Sequence, residues 1–133
     1  MDSETLVKGG AEGLLRIAAA LREHGIPVEG IYLIKSTTDD DTVFWRVRLV
    51  TDVPQFQVIQ ALVRLEREGR LPRIGADVLV GPIRATSPEA SRIIEYARRA
   101  VGRPVEIRNT PLDGLFVEYG LVADWPATDR AAA

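Results

Sequence analysis

Hydrophobic residues in this chain recur with two periods, and the points where the period changes constrain what it can fold into. From Ala11 to His24 the apolar positions Ala11, Leu14, Leu15, Ala18 and Leu21 form one helical stripe, and Gly25 stands where a glycine stops a helix. In the stretch VFWRVRLV, residues 43–50, the period is two: Val43, Trp45, Val47 and Leu49 point one way, Phe44, Arg46, Arg48 and Val50 the other. This second pattern predicts a strand, and VEGIYLIKS before it predicts its partner across the acidic turn TTDDD, with the turn centred about Asp39.

The alternation of periods continues. Asp52 and Pro54 read as an N-cap and an early helical proline for a helix carrying Phe56, Ile59, Leu62 and Val63 as far as Gly69. ADVLVGPIRA predicts a short buried strand that ends or bulges at Gly81–Pro82. Thr86 or Ser87 caps a third helix, with Pro88 and Glu89 in its first turn, Ile93, Ala97, Ala100 and Val101 on its apolar face, and Gly102 as its stop. PVEIRN and LFVEYGLVADW flank TPLDG as a second hairpin, with its turn about Leu112. The order is α-β-β-α-β-α-β-β, which predicts one two-layer α+β domain over residues 1–126, about five mostly antiparallel strands with three helices mainly on one face. PATDRAAA, residues 127–133, reads as a loose tail. GIPVE at 25–29 and GRPVE at 102–106 echo each other, and generic helix-to-strand punctuation explains the echo better than duplication does.

Composition narrows the function classes. The net charge of −2, from 17 basic and 19 acidic residues, supplies no global field toward nucleic acid or an anionic membrane. The chain has no cysteine, which excludes thiolate catalysis and sulfur-ligated metal. Its apolar runs are too short to span a bilayer and its start lacks a leader pattern, so the expected location is the cytoplasm, with no membrane partner.

A hairpin turning at Asp39 sets Arg46 beside Tyr32 and Phe44 beside Ile34; one turning at Leu112 leaves Glu106, Glu118, Arg108 and Phe116 on a shared face. With helices on the apolar face, the other face carries Tyr32, Phe44, Arg46, Arg48, Phe116 and these charges. It is too aromatic for ordinary solvated sheet and too charged for core. The leading reading is a non-enzymatic binding or interaction module that self-associates as a dimer, with Tyr32, Phe44 and Phe116 at the interface. The alternative is a small cofactor-free enzyme or ligand-binding protein for an anionic small molecule, with Arg46, Arg48 and Arg84 holding the anion and Glu106 or Glu118 as base.

Other patterns read as structure. Asp39, Asp40 and Asp41 lack the spacing of a calcium loop and form a polar turn. His24, the single histidine, caps a helix C-terminus, which leaves no metal site and no cofactor to expect. The helix start at residues 83–89 lacks a glycine-rich phosphate cradle and reads as ordinary capping. Arg92, Arg98, Arg99 and Arg103, with Arg46 and Arg48 beside Phe44 as a stacking platform, raise single-stranded nucleic acid as a further alternative. The sequence pI of about 5.5 weighs against it, and Glu95 stands ready to pair with Arg99.

Overall fold

In the computed structural model, which describes residues 6–37 and 40–126, the predicted element order holds throughout. Helix α1, Ala11–Glu23, buries Leu14, Ile17, Ala18 and Leu21, and ends as Ile26 N–H returns to the Leu21 carbonyl. Strands β1, Gly30–Thr37, and β2, Val43–Val50, form the first hairpin; helix α2, Gln55–Arg67, then leads to strand β3, Val78–Ile83. Helix α3, Pro88–Arg99, precedes the second hairpin, β4, Val105–Leu112, with β5, Leu115–Asp124. The predicted tail at 127–133 lies outside the described residues, as do the first five residues, Thr38 and Asp39. Among the described residues no helix is long and apolar enough to cross a membrane.

The five strands make one sheet in the order β3-β2-β1-β5-β4, antiparallel except where β2 meets β3. That parallel pair is joined through α2, since a parallel connection needs a long crossover. The two hairpins lie side by side through β1 and β5, the first strand of one and the second of the other. Helix α1 and helix α3 lie on opposite faces of the sheet. The two α-β-β units are therefore not equivalent in the sheet, and the GIPVE/GRPVE echo reflects shared local punctuation.

Two helices, α1 and α2, cover one face, where Ile31, Leu33, Trp45, Val47, Leu49 and Leu121 meet Ile17, Leu21, Val58 and Leu65. The third helix, α3, packs Ala90, Ile93, Ile94 and Ala97 on the other face against Tyr32, Ile34, Val50, Ile107, Val117 and Val122. The face expected to stay less covered is thus roofed over much of its width.

Several local expectations give way to better physics. The first hairpin pairs Leu33 with Val47, Tyr32 with Arg48 and Ile34 with Arg46, two residues from the predicted register, because the turn is centred on Asp40 and Asp41 takes the positive φ of 63°. An even slip leaves every side chain on its predicted face. The second hairpin turns on Asp113–Gly114, with φ of 46° and 91°, the two-residue turn that an Asp-Gly pair favours. This shifts the register by three: Arg108 pairs with Tyr119, Glu106 with Leu121 and Ile107 with Gly120. Asn109, at φ 46°, breaks the alternation, so Val117 and Val122 share the α3 cluster although they stand five positions apart, a spacing that strict alternation would put on opposite faces.

Helix α2 begins at Pro54 without a side-chain cap, so Asp52 is not its N-cap. It buries Val58, Ala61 and Leu65 and leaves Phe56, Ile59 and Val63 exposed; of the predicted stripe only Leu62 packs against the core. Strand β3 is an edge strand running through Gly81–Pro82 to Ile83, and only Val78 in it is buried. An edge tolerates proline's missing donor. Finally, Leu6 and Val7 join the core through a bridge between Val7 and Ile74, a contact the sequence did not suggest. Gly13 lets that segment approach α1, since a Cβ there would lie 2.1 Å from the Lys8 carbonyl oxygen.

Candidate functional site

The start of α3 anchors the site. Ser87 caps the helix as predicted, its Oγ accepting from Ala90 N–H at 3.2 Å, with Pro88 in the first turn. That cap directs Glu89 toward the sheet. The Tyr32 hydroxyl donates to Glu89 Oε2 at 2.5 Å, and Arg48 Nε donates to the same oxygen at 3.2 Å. Tyr32 is 1% exposed, and its pKa is pushed above the usual tyrosine value by burial first and by the Glu89 charge and hydrogen bond second. It is a neutral donor that locks the helix start to β1, and it lies beneath α3 and away from any surface contact.

Beside this lock the sheet stays uncovered, leaving a groove of about 440 Å³ between β2, β1 and the β4–β5 hairpin. Ile34, Phe44, Leu115 and Phe116 form its apolar walls, and Lys35, Arg46, Glu89 and Glu118 supply its charges. Lys35 Nζ pairs with Glu118 at 2.7 Å, and Glu89 pairs with Arg48. The Arg46 guanidinium stands 4.7 Å over the Phe44 ring and, among the described residues, has no carboxylate within ion-pair distance. The groove's charges cancel except at Arg46.

The structure therefore brings together Phe44, Arg46, Phe116 and Glu118 among the predicted site residues, with Arg48 in the layer beneath. It does not bring Glu106 and Glu118 together as an acid–base pair. Glu106 accepts from Arg108 and from the Tyr119 hydroxyl at 3.2 Å, beside a Trp45–Tyr119 edge contact on the α1–α2 side. Hydrogen bonding from Arg108 is the main cause that holds the Glu106 carboxyl below its usual range. Arg84 is exposed on the β3–α3 connection, its carbonyl accepting from Ser87 N–H, and does not line the groove.

The remaining candidates stay structural. Asp40 accepts from Thr42 N–H at 3.3 Å within the turn, and Asp39 lies outside the described residues. His24 is the C-cap of α1. Arg99 pairs with Glu95 one turn earlier, Arg98 donates to the Pro126 carbonyl, and Arg103 binds Asp124 while stacking over Trp125. Glu89 is the residue sequence reasoning missed. Its first-turn position explained it through the helix dipole alone, although a tyrosine inside an apolar pattern needs a hydrogen-bond partner and could have prompted a search for one.

Comparison with protein-family models, with curated proteins and with solved structures finds no match.

Proposed function

We propose that the chain is a non-enzymatic binding module whose groove takes an organic anion with an apolar body. One observation carries this reading: in an aromatic-walled cavity whose carboxylates are paired with Lys35 and Arg48, Arg46 has no ion-pair partner among the described residues. An entering carboxylate or phosphate would complete Arg46, and an aryl or alkyl group would cover Phe44, Ile34 and Phe116. The cavity volume suits a small molecule better than a flat protein partner. A cytoplasmic location belongs to the same reading; among the described residues no helix is long and apolar enough to cross a membrane. The test is thermal stabilisation by a panel of aromatic carboxylates and phosphate monoesters. Stabilisation of the wild type that disappears in Arg46→Ala supports the proposal; equal stabilisation of both removes Arg46 from the site.

Self-association through the groove's rim is the second reading, favoured by Phe116, which is 60% exposed at the tip of the β4–β5 hairpin. Its contact residues are Phe44 and Phe116 without the buried Tyr32. A dimer by light scattering that Phe116→Asp splits would support it, and a dimer untouched by Phe116→Asp would reject it.

A further inference from the structure

Helix α2 has two apolar faces, and the fold uses one of them. Val58, Ala61 and Leu65 face the core, while Phe56, 71% exposed, continues through Ile59 and Val63 as an outward stripe at helical spacing. The ends of this stripe differ in charge: exposed Asp52 precedes the helix, and Arg64 and Arg67 close it. Among the described residues neither Arg64 nor Arg67 has a carboxylate within ion-pair distance, whereas nearby Arg70 binds both Glu23 and Glu68. A cleft of about 640 Å³ runs along the same helix, bordered by His24, Ile26, Ile59 and Val63.

We propose that this stripe docks a second copy of the chain, the two α2 helices packing antiparallel about a two-fold axis that passes between Ile59 and Gln60. The sequence is self-complementary about that point. Phe56 lies opposite Val63 of the partner subunit and so at the mouth of the partner's cleft, which offers the ring a hole. The segment carrying Asp52, just before the start of one helix, approaches the Arg64–Arg67 end of the partner subunit's helix, and Gln55 lies opposite Arg64 of the partner subunit. A parallel arrangement would instead set the two Arg67 side chains against each other, so charge selects the antiparallel one. This interface lies on the other side of the sheet from the groove beside α3 and is independent of what binds there.

Sedimentation velocity over a range of concentrations tests it. The wild type is expected to dimerise, Phe56→Glu to be monomeric with an unchanged circular dichroism spectrum, and Arg67→Asp to weaken the dimer by about tenfold or more. Combining Asp52→Arg with Arg67→Asp reverses both ends and is expected to restore it. Because the chain has no cysteine, Ile59→Cys offers a clean second measurement: oxidation should give a covalent dimer, and Gln55→Cys, far from the axis, should not. A wild type that stays monomeric, a dimer that survives Phe56→Glu, or cross-linking by Gln55→Cys and not by Ile59→Cys would each overturn the proposal. A dimer split by Phe116→Asp and untouched by Phe56→Glu would move self-association to the groove.

Discussion

On the α1–α2 side of the sheet, Ile31, Leu33, Val47 and Leu49 are buried in one hydrophobic cluster; on the α3 side the same two strands present Tyr32, Arg46 and Arg48. The first face is closed by two helices, and its residues need nothing but volume and contact. The second is closed by one helix, which is held at its start by a tyrosine, a carboxylate and a guanidinium, and it leaves a groove beyond that lock. Single helical coverage is what leaves room for a site, and the polar lock is what lets a partly covered face stay ordered.

Substitutions can break this comparison, beginning on the dry face. Leu33→Ala, at a fully buried position, is expected to cost about 3 kcal/mol in chemical denaturation, since the sheet and two helices cannot collapse into the gap. A loss under about 1 kcal/mol would mean that this face is loosely packed. The lock should give a smaller effect: Glu89→Ala leaves the buried Tyr32 hydroxyl without its acceptor and is expected to cost about 2 kcal/mol, and Tyr32→Phe about 1 kcal/mol. In the double variant the two losses should fall short of additivity, because both remove the same hydrogen bond.

Titration separates the faces in another way. A folded-state pKa raised above the unfolded value means that Tyr32 contributes stability present in full below the ordinary tyrosine value and lost as pH rises above it toward the folded value. Wild type should therefore melt at progressively lower temperature on the alkaline side, and Tyr32→Phe should flatten that slope. Parallel slopes for the two proteins would place the sensitivity elsewhere. Glu106 has the opposite sign: its lowered carboxyl stabilises above the ordinary glutamate range and loses that contribution as pH falls through its folded value. Being exposed, it should show the least effect, with Glu106→Gln changing the melting temperature at neutral pH only marginally.

Element order was legible because the hydrophobic period switches cleanly and each switch carries a glycine, proline or cap. The side of the sheet that each helix takes was not, since an amphipathic stripe states that a helix needs a face without stating which one. Strand register failed where a loop was given five residues although Asp113–Gly114 alone makes the turn, and that odd slip separated Glu106 from Glu118. In α2, apolar residues occur on adjoining faces, so spacing selected Phe56, Ile59 and Val63 when packing selects Val58, Ala61 and Leu65. Phe44 and Arg46 kept their expected face because the first hairpin slips by an even number of residues, while Phe116 and Glu118 reach the groove because their hairpin borders it. Glu89 came from another element, 41 residues from Arg48, and no local pattern reports such a contact.

The two edge strands, β3 and β4, each contain a proline, Pro82 and Pro111. In edge strands, proline's missing N–H usually lies on the outward side, where it denies a donor to any strand that might add on. Leu79, exposed on β3, would otherwise invite such growth. Each edge thus lacks one donor that an added strand would need, which disfavours edge-to-edge stacking of copies.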